Sequence, residues 1–183
     1  MLKILVTGGA GLIGSNVVKR FLSLGHEVHV ADNLWRGKLE NLYNNCHPIV
    51  DLDSHFHQVD LQNYDNCVAV SKNIDVVIHL ADIVAGINFV FANELFLYRA
   101  NVVMNSNMLD AAILNNVKKY LYVGTACSYP EKMQAELNPP PFKEEDAYPA
   151  SPESAYGWSK LMGEYECELA QKEGKIETGI LRL

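Results

Sequence analysis

Apolar residues along the chain follow two alternating periods. Met1 to Val6 is apolar apart from Lys3, the run expected of a parallel strand covered on both faces. Leu12, Ile13, Val17, Val18, Phe21, Leu22 and Leu24 then recur at helical spacing, with Lys19, Arg20 and Ser23 opposite and Gly25 as the stop. Further strands are predicted at Glu27 to Ala31, near His55 to Val59, at Asp75 to Leu80, at Tyr120 to Gly124 and in the closing Gly179 to Leu183 segment. Asp75 to Leu80 is the most hydrophobic of these on its own terms and should be central. A long helix is predicted from Asn93 to Asn116, with Val102, Val103, Leu109, Ala112 and Ile113 inward and most of its asparagines solvated. Another is predicted from Glu153 to about Glu173, with Ser151 as N-cap and Pro152 in its first turn. Pro139 to Pro141 excludes helix and central strand, and Lys143 to Asp146 reads as a solvated charged turn. This alternation, with no internal repeat, predicts an α/β fold: a doubly wound parallel sheet with helices on both faces.

The turn joining the first strand to the first helix, Val6-Thr7-Gly8-Gly9-Ala10-Gly11-Leu12-Ile13-Gly14, is nearly stripped of side chains. Gly8 permits the tight turn, Gly11 lets backbone approach a pyrophosphate, and Gly14 lets the helix lie close on the sheet. Unpaired N–H groups at the helix start then face an anion. A glycine turn that binds nothing is the competing reading, and the glycines alone do not separate the two. The second strand, however, runs into Asp32, near the distance at which an acid meets the ribose hydroxyls of NAD. The pattern therefore predicts a Rossmann-type NAD site. Asp32 would repel a 2′-phosphate, which favours NAD over NADP. Asp60, at the end of the third strand, either bonds the adenine amino group or caps a helix. Ala81 leaves room for a cofactor across the end of the central strand, and Asn101 is a candidate to bond across to the active site.

Tyr120 to Gly124 delivers Thr125-Ala126-Cys127-Ser128-Tyr129-Pro130 to the same carboxyl edge of the sheet. Tyr156 and Lys160 lie four apart on the next helix, so both side chains share one face. A free tyrosine has a pKa of about 10 and is a poor base at neutral pH, whereas a neighbouring ammonium favours the phenolate. The expected chemistry is hydride transfer. Tyr156 takes a proton from a substrate alcohol, Lys160 lowers the tyrosine's pKa and holds the nicotinamide ribose, and Thr125 bonds the substrate oxygen. A Tyr four before a Lys also arises by chance, but none of the other tyrosines has a lysine at that offset.

Composition narrows the partners. The 183 residues suggest one domain, or one and a fraction, and the net charge of −7 argues against nucleic acid and against an acidic membrane surface. No segment is apolar for long enough to span a bilayer, and the chain opens directly in a strand, so no signal peptide and a cytoplasmic location are expected. Cys46, Cys67, Cys127 and Cys167 are irregularly spaced, which fits neither a zinc site nor a disulfide framework, and reduced thiols are expected. Cys46, His47, His55 and His57 could gather around a metal, but His55 and His57 alternate as on a half-exposed strand face, and no metal is expected.

Thr7-Gly8-x-x-Gly11-x-x-Gly14, Asp32-Asn33-Leu34, His79-Leu80-Ala81, Thr125 and Tyr156-x-x-x-Lys160, in that order, resemble the extended short-chain dehydrogenase/reductase family of nucleotide-sugar epimerases and dehydratases. The resemblance covers the whole chain. It implies an NAD-binding set of Gly8, Gly11, Leu12, Ile13, Gly14, Asp32, Asn33, Leu34, Arg36, Asp60, Leu61, Leu80, Ala81, Asn101, Tyr156 and Lys160. Gly124 to Glu131 and Ala155 to Lys160 look most like the GDP-mannose 3,5-epimerase branch, then the GDP-fucose synthase branch, which implies a GDP-sugar as substrate. In both branches a cysteine two residues after the catalytic Ser or Thr serves as an acid/base, and Cys127 occupies that place. A thiol of pKa about 8.5 suits exchange of the protons flanking a C4 ketone; the alternative for Cys127 is a small buried hydrophobe. NADP use in the synthase branch makes Asp32 lean toward the epimerases, although Ala81 to Gly86 departs from their glycine-rich loop. The resemblance also implies a homodimer built on the Asn93 and Tyr156 helices. The family's C-terminal substrate-binding part lies outside these residues, which make up its NAD-binding domain with the catalytic Tyr-x-x-x-Lys.

Overall fold

In the computed structural model, which describes residues 1–135 and 140–183, strand and helix alternate as the pattern requires. The chain runs β1 (Lys3–Thr7), α1 (Leu12–Ser23), β2 (Glu27–Asp32), a hairpin of β3 (Tyr43–Asn44) and β4 (His47–Pro48), then β5 (Phe56–Gln58), α2 (Tyr64–Ser71) and β6 (Val76–His79). It continues through α3 (Ile87–Ala92), α4 (Glu94–Leu114), β7 (Lys119–Gly124), α5 (Glu131–Gln134), α6 (Ala155–Lys172) and β8 (Glu177–Arg182). Six strands form one sheet in the order β5-β2-β1-β6-β7-β8, with every pairing parallel. Chain order reverses between β1 and β6, and the crevice at their carboxyl ends is where such sheets take ligands.

Both faces are covered, as a doubly wound sheet demands. Ile4, Val6, Val28, Val30 and Ile78 pack with Val18 of α1 on one face. Leu5, Val77, Tyr120 and Tyr122 pack with Met104 and Met108 of α4 and Cys167 of α6 on the other. Of the Pro139 to Pro141 run, Pro139 lies outside the described residues, and Pro140 and Pro141 belong to neither helix nor strand.

Several expectations are corrected. Leu12 and Ile13 are 82% and 50% exposed, because the first turn of α1 stands over the ligand crevice instead of the core. On α4 the buried positions are Leu97, Ala100, Asn101, Met104, Asn105, Met108, Leu109, Ala111 and Ala112, while Val103 is exposed. This helix is buried by the sheet, α2 and α6 together, so its apolar residues mark no single stripe. Nor are most of the asparagines between Asn93 and Asn116 solvated: Asn101 and Asn105 are buried, Asn107 donates to the Gln62 carbonyl at 2.9 Å and Asn115, just past the helix, to that of Val68 at 2.9 Å. Helix α6 starts later than expected, with the Ser154 hydroxyl accepting from the Gly157 N–H at 3.2 Å. The Ser151 carbonyl instead accepts from the Glu131 N–H at 2.9 Å, which ties it to α5.

A buried polar chain crosses the centre of the sheet. The Thr7 hydroxyl accepts from the Leu80 and Ala81 N–H groups, each at 3.1 Å, and lies 2.8 Å from His79 Nδ1. His79 Nε2 lies 3.0 Å from Asn105 Oδ1, Asn105 Nδ2 donates to the Tyr122 hydroxyl at 2.9 Å, and that hydroxyl donates to the Lys160 carbonyl at 3.3 Å. Thr7 thus fixes the end of β6 against the glycine turn, and the rest of the chain anchors α6 to the same point. Burial, followed by the charge of Lys160, pushes His79 down to about 3. The unfolded chain, whose histidine has its ordinary pKa, binds more protons between the two values, so stability falls as pH drops below about 6.5. His79 should contribute a slope of up to about 1.4 kcal/mol per pH unit. Urea titrations at neutral and mildly acidic pH check this, and a His79→Gln protein that loses stability on acidification as steeply as wild type would refute it.

Candidate active site

The glycine turn has the geometry of a phosphate seat. Gly8 sits at φ +66°, where side chains are strained, and its N–H donates to the Ala31 carbonyl at 2.7 Å. A Cβ on Gly14 would run into the Gly8 carbonyl and approach Gly9 Cα to 2.7 Å, so α1 can lie this close only with glycine there. Gly11 caps α1 with no side-chain acceptor, which leaves the first-turn N–H groups directed at the crevice.

Beyond this seat opens a cavity of about 640 Å³, within the size range of cofactor pockets. Gly8, Gly11, Leu12, Ile13 and Gly14 border it at one side, and Asp32, Asn33, Arg36, Asp60, Leu61, Leu80 and Ala81 line its length. Thr125, Tyr156 and Lys160 close the far end. Trp35, Lys38, Asn41 and Val84 also line it, although no motif pointed to them.

Asp32 is 8% exposed and organises its surroundings: it accepts from the Ala10 N–H at 3.0 Å and from the Leu34 N–H at 2.8 Å. Two of the expected cofactor residues do something else. Leu34, at φ +60°, packs against the apolar cluster beneath α1, because the tight turn at Asp32 swings its side chain away from the cavity. Asn101 is fully buried and spends its amide on one residue, accepting from the Ile83 N–H at 2.8 Å and donating to the Ile83 carbonyl at 3.1 Å. It fixes the loop after β6 and does not line the cavity. Arg36 reaches across the cavity mouth to the Val84 carbonyl at 2.7 Å. The Asp60 carboxylate is exposed and accepts from the Gln62 N–H at 2.9 Å, while Asn63 caps α2.

The residue that sequence reasoning missed is Asp82. Its Oδ2 accepts from the Tyr156 hydroxyl at 2.9 Å and lies 3.5 Å from Lys160 Nζ. Its Oδ1 is buried without a hydrogen-bond partner among the described residues. The signal was an acid at the carboxyl end of the most apolar strand, where a parallel sheet places ligand contacts. Tyr156 and Lys160 do share one face, but they meet on this carboxylate. Burial first, then the negative charge of Asp82 and the hydrogen bond to it, drive the Tyr156 phenol well above its usual range, with the Thr125 hydroxyl pulling the other way. Lys160, expected to lower the phenol's pKa, is here paired with Asp82.

The segment carrying Thr125 is held from below. Glu164, 1% exposed, pairs with Arg182 at 2.7 Å, and Arg182 reaches the Tyr129 hydroxyl at 3.2 Å and the Glu144 carbonyl at 3.0 Å. The Thr125 hydroxyl accepts from the Cys127 N–H at 3.2 Å. Cys127 is a free, exposed thiol outside the cavity lining, so it is not a buried hydrophobe.

A dinucleotide seat, an acid for the ribose and a Tyr/Lys pair thus occupy one cavity. The sequence profile described as "NAD dependent epimerase/dehydratase family" matches residues 4–183. The chain belongs to that family. GDP-mannose 3,5-epimerase 1 of Oryza sativa subsp. indica is 38% identical over 182 residues, covering 99% of this chain and 46% of the relative. UDP-glucose 4-epimerase GEPI42 of Cyamopsis tetragonoloba is 32% identical over 166 residues, covering 88% of this chain and 45% of the relative. The UDP-glucose 4-epimerase of Thermus thermophilus, crystallised with NAD, superposes with a TM-score of 0.80 at 28% identity over 99% of this chain and 54% of that one. The chain spans about half the length of the curated relatives it matches. The family is NAD dependent, and the cleared backbone at Gly8 and Gly14 with Asp32 beside it fits that cofactor. No helix among the described residues is long and apolar enough to cross a membrane.

Proposed function

We propose that these residues form the NAD-binding and catalytic half of a nucleotide-sugar epimerase that oxidises a sugar hydroxyl transiently, with a GDP-mannose-type sugar as substrate. The placement of Thr125, Tyr156 and Lys160 at the end of the cavity that begins at the glycine seat carries this reading. The first turn of α1 would hold the pyrophosphate, Asp32 the adenosine ribose and Lys160 the nicotinamide ribose. NAD, when bound, supplies the acceptor for the hydride leaving the sugar carbon. Thr125 would bond the substrate oxygen and Tyr156 would take its proton, for which Asp82 must first release the phenol or accept the phenol's own proton. Cys127, exposed beside Thr125, would exchange protons next to the transient ketone. Identity to a GDP-mannose 3,5-epimerase over nearly the whole chain supports the GDP-sugar. The contacts to the sugar nucleotide come, in this reading, from a substrate-binding part beyond these residues.

One observation favours a second reading, a module that holds NAD without turnover: the Tyr156 phenol is engaged by Asp82, and Lys160 is neutralised. NADH absorbance and solvent-deuterium uptake separate the two, measured on an NAD+-loaded full-length version that carries the substrate-binding part, mixed with GDP-mannose or UDP-glucose. The enzyme reading expects NADH to form and Tyr156→Phe to abolish it, with Cys127→Ser suppressing deuterium uptake alone. No NADH with either sugar would leave the binding module. A homodimer is part of the proposal. Leu95, Phe96 and Val103 on α4 and Trp158, Tyr165 and Leu169 on α6 are large exposed apolar residues on adjoining helices. Light scattering that returns the mass of a single 20.4 kDa chain would remove it.

A further inference from the structure

Four titratable side chains gather on one face of the sheet beside β2, outside the lining of the cofactor cavity. Glu27 and His29 alternate with Val28 and Val30, so they share a face, and the parallel pairing of Ala31 with His57 brings His55 and His57 alongside. The Val30 N–H donates to the His55 carbonyl at 2.8 Å, which fixes that neighbour just ahead of β5. Glu27 Oε1 lies 3.1 Å from His29 Nε2 and 3.7 Å from His55 Nε2, and one ligand atom from each of the three residues lies within 4.8 Å of the others. Glu27 and His29 lie five and three positions before Asp32 on β2, roughly 16 and 10 Å, and none of the four side chains lines the NAD cavity.

We propose that Glu27, His29 and His55 form a site for a divalent transition metal of the zinc class, with His57 orienting His29 from behind. Ligand atoms around a tetrahedral ion with bonds of about 2.0–2.1 Å stand about 3.3 Å apart, so the two spacings from Glu27 need only tenths of an ångström of adjustment, and the two imidazoles, whose ligand atoms lie within 4.8 Å, would close on the ion. Two imidazoles and a carboxylate leave a position for water and suit zinc, cobalt or nickel better than calcium or magnesium, which prefer all-oxygen sets. His29 Nδ1 lies 3.3 Å from His57 Nε2, the outer contact that fixes a metal-binding imidazole's tautomer and leaves Nε2 for the ion. The side chains of Glu27, His29 and His55 are 23%, 18% and 30% exposed, shielded yet open to entry.

Lys3 Nζ lies 2.9 Å from Glu27 Oε1, so the carboxylate already selects a cation there. Its side chain is 47% exposed and is free to swing into solvent when a stronger cation arrives. Cys46 and His47, on the exposed hairpin, are outside the group, and His57 stands behind it. A bound ion would clip the three-residue edge strand β5 to β2.

The test is calorimetric titration of the chelator-treated chain with zinc chloride, with the visible spectrum of the cobalt-loaded chain as a second readout. One ion per chain is expected. His29→Ala and His55→Ala should each weaken binding by more than about a hundredfold, and His57→Ala by about tenfold. Cys46→Ser and His47→Ala should leave it unchanged. Lys3→Met removes no ligand and should tighten binding, so the proposal stays testable even where a histidine variant folds poorly. Absence of saturable binding, affinity that survives the His29→Ala/His55→Ala double change, or no tightening in Lys3→Met would overturn it.

Discussion

Alanine at Gly14 should weaken NAD+ binding by about a hundredfold, roughly 2.7 kcal/mol. The added Cβ meets the Gly8 carbonyl and Gly9 Cα, both backbone, so no side chain can turn aside to make room. Helix α1 must move away from the turn, and its N–H groups no longer converge on the pyrophosphate. Gly25→Ala provides the control. Gly25 has open space around it but sits at φ +80°, so the change should cost about 1 kcal/mol of stability and leave NAD+ affinity unchanged. Calorimetry with NAD+ and urea unfolding read the two effects separately. Equal NAD+ affinity in Gly14→Ala and wild type would mean that the phosphates sit elsewhere.

Removing the Lys160 charge should be the most destabilising single change in the cavity. The side chains of Lys160 and Asp82 are 3% and 11% exposed, Lys160 meets Oδ2, and Oδ1 of that carboxylate has no donor among the described residues. Lys160→Met would leave the carboxylate to the Tyr156 hydroxyl alone, at a cost of about 3–5 kcal/mol. Neutralising the partner as well, in Lys160→Met/Asp82→Asn, should recover most of that loss, because the unpaired charge has gone. Asp82→Asn alone should let Lys160 act on the phenol, so Tyr156 titrates at lower pH in the ultraviolet spectrum of tyrosinate. Additive losses in the double variant would show that Asp82 and Lys160 are not coupled.

The parts of this fold set by local chemistry were legible in the chain. A strand, a glycine turn and a helix can be recognised from Met1 to Gly25 because each signal spans neighbouring residues, and the parallel, doubly wound character of the sheet follows from the alternation of strand and helix. The rotation of α4 was not legible. Its inward face carries Asn101 and Asn105 among methionines and alanines, and their partners, Ile83, His79 and Tyr122, are distant in sequence. The start of α6 was misplaced for a similar reason: Ser151 and Ser154 offer equivalent caps, and only the long-range bond from Glu131 decides between them. In the site, the shared face of Tyr156 and Lys160 is legible in their spacing of four, and the place of Thr125 beside them in its position at a strand end. Asp82 was read past as part of a divergent loop, since nothing local says that an acid 74 positions before Tyr156 takes its hydrogen bond.

The measurement that bears most directly on the NAD-site account is calorimetric titration of the chain with NAD+ and, separately, with NADP+. Every proposed contact to the dinucleotide lies within these residues, and Asp32 is already held rigid by Ala10 and Leu34. The account predicts NAD+ binding tighter than NADP+ by at least about tenfold, or 1.4 kcal/mol, with Asp32→Ala erasing the preference. Equal or tighter binding of NADP+, or no binding of either, would contradict it.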